Sequence, residues 1–273
     1  MRRIAIVLWV LLFANAASFA HYNMLLPDRP WANKDEKVTF TYQFGHPFEH
    51  ELFDAPEPRT VIVILPDGKT QKVEKFSKLA LKGADGKKVT GYRFTYEPTM
   101  RGDHTVVLQT PPIWMEETKD FIQDTVKVVL HVQAQKNWDA DLPAGVLSDS
   151  KLKVIPLTRP YGLLSGMIFQ ARFALPPGKI GQTGKVLATT AGQEVEIERY
   201  NPEPVKNPPA DEFVTFKTKT DQNSVFTFAF PQAGWWCMTA GCHDQKQRQW
   251  TDAGREGPIR ERATLWIHVD EKK

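Results

Sequence analysis

The stretch KVTFTYQF, residues 37–44, alternates large apolar side chains with polar ones. The apolar positions are Val38, Phe40, Tyr42 and Phe44. A period of two residues is typical of a β-strand with one buried face. Residues 60–65, TVIVIL, form a continuous apolar run that ends at a Pro-Asp-Gly turn. This part of the chain is therefore predicted to be β-structure.

Similar short stretches recur on both sides of a polar segment that contains Asp and Pro. They cover residues 92–96, 105–108 and 125–132 before that segment, and 163–173, 194–200, 225–230 and 263–269 after it. Few stretches have a helical period. We predict an all-β protein with two immunoglobulin-like β-sandwich domains in tandem, at residues 21–134 and 151–273, joined by a linker at 135–150. Residues 202–209 and 242–262 are predicted to be surface loops.

The N-terminus has the pattern of a secretory signal peptide. Arg2 and Arg3 precede an apolar run at residues 4–13, and small residues follow. The run is about half of the ~20 residues that a membrane span needs. Cleavage fits after Ala16 or after Ala20, and only the second choice makes His21 the first residue. We expect residues 1–20 to be removed and the mature protein to work outside the cytoplasm.

Charge argues against nucleic acid as a partner. Without Arg2 and Arg3 the chain has 33 basic and 32 acidic residues. Nucleic-acid-binding proteins usually carry a clear basic excess on one face, whereas the basic residues here are dispersed.

Two cysteines, Cys237 and Cys242, lie five positions apart. In an oxidising compartment such a pair usually forms a disulfide, and we predict one here. The alternative is a thiolate metal site that includes His243.

Histidines are the most informative residues for function. His46 and His50 follow directly on the strand at residues 37–44, with Glu49 between them. Loops at strand ends often carry functional groups, and a turn at Pro47 could bring both imidazoles to one ion, with Glu49 as a weak or outer ligand. If cleavage follows Ala20, His21 adds an imidazole and an α-amine. Such nitrogen-rich sites suit Cu²⁺ and Ni²⁺.

The other histidines give weaker indications. His104 begins a strand and is either a ligand or a corner residue that bonds the backbone. His131 and His268 alternate with apolar neighbours, so both are expected to face solvent. Four singly placed tryptophans could in principle stack on a carbohydrate, but such residues usually pack; they are Trp31, Trp114, Trp138 and Trp250.

No catalytic triad order, nucleophile elbow, phosphate-binding loop or dinucleotide fingerprint occurs in the sequence. This absence weighs against a hydrolase or a dehydrogenase, and we predict a protein that is not an enzyme.

Several segments resemble a known bacterial periplasmic family. They are residues 21–27, 42–56, 111–114, 120–122 and 233–236, of which the block from Gly45 to Pro56 is the most specific. The family resembled has long been described as a domain of unknown function, and its better-understood members are periplasmic accessory components of nickel and cobalt uptake transporters. The resemblance implies a soluble protein whose mature chain starts at the histidine.

It further implies that His21, His46, His50 and His104 bind Ni²⁺ or Co²⁺ and that the ion passes to a membrane transporter. Cu²⁺ and Zn²⁺ accept the same donors. Two alternatives stay open. One is a copper-dependent oxidative enzyme with an N-terminal histidine brace, and the other is an immunoglobulin-like interaction module without metal.

Overall fold

The computed structural model describes residues 21–83, 86–143, 145–147, 152–175, 190–243 and 249–272, and strands make up most of these residues. The predicted signal peptide and parts of the predicted linker lie outside these residues. The first eleven strands are β1 (Tyr22–Pro27), β2 (Trp31–Ala32), β3 (Val38–His46), β4 (Glu51–Phe53), β5 (Thr60–Ile64), β6 (Thr70–Lys72), β7 (Ser77–Lys82), β8 (Lys88–Tyr96), β9 (Gly102–Gln109), β10 (Ile113–Met115) and β11 (Asp120–Val132).

The remaining strands are β12 (Lys153–Pro156), β13 (Leu163–Leu164), β14 (Ile168–Ala174), β15 (Glu194–Arg199), β16 (Thr215–Lys219), β17 (Val225–Ala229), β18 (Gly234–His243), β19 (Gln249–Asp252) and β20 (Arg255–Asp270). A single 3-10 turn at Asp211–Phe213 is the helical element of the described residues. The predicted all-β class is confirmed.

A first sandwich forms from the N-terminal strands. One sheet has the order β1-β3-β8-β7, with β4 paired to β3, and it packs on β5, β9 and β11 of a larger sheet. The alternating apolar residues of β3 point into this core, where the Phe40 and Phe94 rings stack with centroids 5.0 Å apart. The pattern in the sequence therefore corresponds to the buried face.

A second sandwich packs the three-stranded sheet β12-β14-β17 against β15, β18 and β20. Its core is aromatic, with Phe169, Phe226, Phe230 and Trp236 buried together. The β-sandwich fold predicted from the sequence is confirmed in this half as well.

The large sheet runs through both sandwiches in the order β16-β15-β18-β20-β11-β9-β5-β6. Its two parts join where β11 and β20 pair in parallel, from Phe121 opposite Ile259 to Val128 opposite Trp266. Since neighbouring residues of a strand point to opposite faces, Trp266 enters the first core while Leu265 and Ile267 enter the second.

Two predictions of local structure are wrong. Residues 242–262 were expected to form a surface loop, but Cys242 and His243 end β18, residues 249–252 form β19, and residues 255–262 form the first half of β20. The segment shows no apolar period because one of its buried residues, Arg262, is charged. Its burial is possible because it forms an ion pair with Asp124. The predicted strand at 163–173 is interrupted between β13 and β14, where Gly166 adopts a positive φ of 84°. Residues 202–209 form a loop, as predicted.

Candidate metal centre

His21 and His46 lie side by side at the edge of the first sandwich. β1 and β3 are antiparallel with Tyr22 opposite Gly45, so the next pair in this register is His21 and His46. Residues directly opposite in such a pair have Cβ atoms about 4.5–5.5 Å apart. The two imidazole centroids are 4.7 Å apart, and the rings of Phe44 and Phe53 pack against them.

A tight hairpin between β3 and β4 adds a carboxylate to this pair. His46 lies opposite Glu51, whose Oε2 is 4.0 Å from His46 Nε2. The hairpin requires Gly45, which has a φ of 148° and where an added Cβ would lie 2.0 Å from the Glu51 carbonyl oxygen. Sequence reasoning missed Glu51, although an antiparallel hairpin returning from His46 would have suggested it.

The environment keeps the His46 imidazole neutral. Burial, and secondarily the nearby His21 ring, lower the pKa of His46 to about 4. Only 6 % of His46 is exposed. A neutral imidazole offers a lone pair without first losing a proton, so this ring is ready to bind a metal ion at neutral pH.

A buried polar network holds β1 in place behind His21. Arg262 donates two hydrogen bonds of 2.6 Å to the Asp124 carboxylate, and its Nη2 also donates to the His21 carbonyl oxygen at 2.8 Å. Asn23 Nδ2 donates to Asp124 Oδ2 at 2.6 Å, and Tyr42 OH donates to Asn23 Oδ1 at 2.6 Å. The position of His21 therefore depends on an ion pair contributed by β11 and β20.

His50 lies on the other side of the hairpin turn. It has a positive φ of 54°, and its Nδ1 lies 2.9 Å from the Asn201 carbonyl oxygen. Its recorded ring contact is with Tyr200, at a centroid distance of 5.8 Å. The turn thus directs His50 toward the segment after β15, whereas the sequence prediction placed it with His46. Burial lowers the pKa of His50.

Contacts from the second half of the chain clamp the same turn. The Asn201 amide donates to the Pro47 carbonyl oxygen at 2.9 Å, and Asn201 Nδ2 donates to the Phe48 carbonyl oxygen at 2.6 Å. The Phe48 amide donates to Glu198 Oε1 at 3.1 Å, and burial raises the pKa of Glu198 to about 8. Glu49, the expected outer ligand, is partly buried in this turn, and burial raises its pKa.

His104 is engaged elsewhere in the first sandwich. It is fully buried, with Nδ1 2.8 Å from Tyr96 OH and Nε2 3.0 Å from the Met100 carbonyl oxygen. Both ring nitrogens therefore bond protein groups, an arrangement that favours the corner-residue interpretation. The recorded partners of His104 differ from those of His21 and His46.

The predicted disulfide between Cys237 and Cys242 is absent, so that prediction is wrong. Both residues lie on the extended strand β18, opposite Trp266 and Glu261 of β20. Five positions of a strand span roughly 16 Å, and a disulfide requires Cα atoms within about 7 Å. Cys237 lies in the first core, where burial raises the pKa of its thiol well above the usual value.

Across the part of the chain that the structure describes, no three His, Cys, Asp or Glu side chains converge closely enough to hold a metal ion. A centre at His21 and His46 accordingly has two imidazoles and needs at least one further donor. The same residues include no helix long and apolar enough to cross a membrane.

The fold defines an all-β protein of two sandwiches that share a sheet. The chain belongs to the family described as "Domain of unknown function (DUF4198)", which matches residues 18–244. This agrees with the resemblance noted in the sequence at the level of the family. No curated protein matches the chain.

Solved structures give distant likenesses. A DUF4785 family protein from Legionella pneumophila aligns with a TM-score of 0.27 and 10% identity, covering 81% of this chain and 52% of that one. The chain thus spans about half the length of the Legionella protein. The fibronectin(III)-like modules of Clostridium thermocellum CbhA align with a TM-score of 0.20 and 9% identity, covering 91% of this chain and 95% of theirs.

Proposed function

We propose that this protein binds a transition-metal ion in the periplasm, with Ni²⁺ or Co²⁺ as the cargo, and delivers it to a membrane uptake transporter. The observation that carries the proposal is the pairing of His21 with His46, whose ring centroids lie 4.7 Å apart. Neutral imidazole is a favoured ligand for these ions. His46 is neutral at the pH of the periplasm because burial lowers its pKa to about 4.

The third donor in this proposal is the α-amine of His21. Cleavage after Ala20 would create that amine on the residue that already supplies one imidazole. An α-amine titrates near pH 8, so a metal ion displaces its proton at small cost. The amine and two imidazoles then provide three nitrogens, with water or Glu51, which is 4.0 Å from His46 Nε2, completing the coordination.

The exposure of the site fits a protein that passes on a bound ion. His21 is partly exposed, so the ion would sit where another protein can reach it. The proposed transporter partner is supported by the sequence resemblance to accessory components of nickel and cobalt uptake. In this function no bond of a substrate is made or broken.

The decisive test is whether the α-amine of His21 binds the metal ion. Mature protein that starts at His21 is compared with a variant carrying one extra Ala before His21, which keeps every side chain and turns the amine into an amide. We expect Ni²⁺ affinity, measured by isothermal titration calorimetry, to fall by at least about tenfold, roughly 1.4 kcal/mol. His21→Ala and His46→Ala should lose at least as much, while His268→Ala serves as the control with unchanged affinity.

Two results would refute this assignment. One is an extended protein that binds Ni²⁺ as tightly as the mature protein. The other is N-terminal sequencing of the periplasmic protein that begins at Ala17 and not at His21.

A copper-dependent oxidative enzyme is the second candidate. Two imidazoles and an amine are the donors of a histidine brace, and the rings of His50 and His104, the other two predicted ligands, bond protein groups elsewhere. Peroxide production that requires both copper and ascorbate, and that is lost in His46→Ala, would favour the enzyme over the carrier.

A further inference from the structure

The large sheet splits at the end opposite the candidate metal centre. β11 and β20 are paired as far as Val128 and Trp266, and beyond this point each strand has a different neighbour. β2 pairs with β11 at His131 and Val132, and β13 pairs with β20 at Val269 and Asp270. A cavity of about 280 Å³ lies between the separated strands. Arg262 and His268 are six positions apart on β20, roughly 20 Å along the strand.

One wall of this cleft is a stack of three planar groups. The Arg159 guanidinium lies 5.1 Å from the Tyr161 ring centroid, and the His131 ring stacks on Tyr161 with centroids 4.2 Å apart. Asp103, which is fully buried, fixes the stack because His131 Nδ1 lies 2.7 Å from Asp103 Oδ1 and Tyr161 OH donates to Oδ2 at 3.0 Å. His131 also lines the cavity.

The opposite wall carries a second imidazole, that of His268. His268 Nδ1 lies 3.4 Å from Asp270 Oδ1, and both residues line the cleft. Both imidazoles are only 24 % exposed, and His131 has a buried carboxylate as its hydrogen-bond partner, so the expectation that the two histidines face solvent is wrong.

The two imidazoles approach the cleft from opposite faces of the sheet. Leu130 and Val132 enter the first core, so His131 points away from it, whereas Ile267 and Val269 enter the second core, so His268 points toward the first. This placement does not suit a single metal ion. Arg159 and Asp270 contribute one charge of each sign, which favours a neutral ligand.

Trp31 supplies the apolar surface at the mouth of the cleft. It lines the cavity next to Pro30, yet 61 % of it is exposed. The sequence-based expectation that Trp31 packs is therefore wrong. An exposed indole beside a small cavity with a few oriented polar groups is typical of a ligand site and not of a core.

We propose that this cleft binds a neutral saccharide. One face of a pyranose ring carries C–H groups, which would pack on the Trp31 indole. Its rim carries hydroxyl groups, which would donate to the imidazole Nε2 atoms and to Asp270 and accept from Arg159. A cavity of about 280 Å³ holds one or two sugar rings and leaves the remainder of a longer chain in solvent.

Mature protein is titrated with cellotriose, maltotriose and chitotriose, with digalacturonate as the anionic comparison, and binding is followed by tryptophan fluorescence and calorimetry. At least one neutral sugar should bind with a Kd on the order of 1 mM or below, and Trp31→Ala should weaken it by at least about tenfold. Trp250→Ala is the matched control, because Trp250 is 44 % exposed but lies on β19, away from the cleft. Trp250→Ala should bind the sugar with unchanged affinity.

The variant His21→Ala/His46→Ala should bind the sugar normally, so failure of the metal proposal does not affect this test. Absence of binding by all three neutral sugars at about tenfold above that Kd overturns the inference. Binding of digalacturonate alone, or equal losses in the Trp31 and Trp250 variants, overturns it as well.

Discussion

The ion pair between Asp124 and Arg262 gives the most demanding test of how the fold supports the centre. Asp124 is fully buried and Arg262 is 7 % exposed, and the two side chains share two contacts of 2.6 Å. Removing one partner of a buried pair leaves an uncompensated charge and costs about 3–5 kcal/mol. Asp124→Ala also removes the acceptor of Asn23 Nδ2, which adds about 1 kcal/mol.

We therefore expect Asp124→Ala to lower the free energy of unfolding by about 4 kcal/mol, or the Tm by roughly 10 °C for a chain of this size. Urea unfolding followed by circular dichroism measures the first quantity. The double variant Asp124→Leu/Arg262→Met replaces both charges with apolar side chains and should recover most of the stability.

Metal affinity should not recover in the double variant. Arg262 Nη2 donates to the His21 carbonyl oxygen at 2.8 Å, and methionine cannot replace this bond. Ni²⁺ affinity should stay lower by about tenfold, the size of one charge-assisted hydrogen bond. A loss of less than about 1 kcal/mol in Asp124→Ala, or wild-type affinity in the double variant, would refute the reasoning.

Three further outcomes follow from buried titratable groups. His46→Ala should lower Ni²⁺ affinity without changing the number of protons released at pH 6, because the pKa of His46 is about 4; calorimetry in buffers of different ionisation enthalpy counts those protons. The free energy of unfolding should fall as pH rises from about 4.5 to about 8, because Glu198 loses its proton at a lower pH in the unfolded chain than in the folded protein. Denaturation curves of Glu198→Gln at several pH values should show a weaker pH dependence. Thiol titration should find both Cys237 and Cys242 reduced in denatured protein, with Cys237 unreactive in the native state; a disulfide in peptide mapping would contradict this.

The alternation of apolar and polar residues correctly predicted the buried face where one face of a strand is apolar. The alternation in residues 37–44 corresponds to the buried face of β3. It failed where buried residues are polar, as at Arg262, because the pattern counts apolar residues and an ion pair from another strand is invisible to it. The spacing of the two cysteines was misleading for a different reason. It suits a disulfide only if the chain turns between them, and both lie on the extended strand β18.

The histidines illustrate the same limit. Sequence spacing grouped His46 with His50, but the hairpin turn separates them and brings Glu51 to His46. The sequence also grouped His21 with His46, from the resemblance and the predicted signal peptide, and the two rings are neighbours in the structure. The sequence could not decide whether His104 is a ligand, because its hydrogen-bond partners are Tyr96 of β8 and Met100 of the loop between β8 and β9.

The sequence by itself determined the β-class, the sandwich fold and the family, because these depend on local pattern and composition. Tertiary structure alone decided which groups meet. The register of β1 on β3 places His21 beside His46, and the parallel pairing of β11 with β20 supplies the ion pair that holds β1. The separation of the same two strands opens the cleft at Trp31. Register and strand order arise from the packing of the whole chain, so no local stretch of residues encodes them.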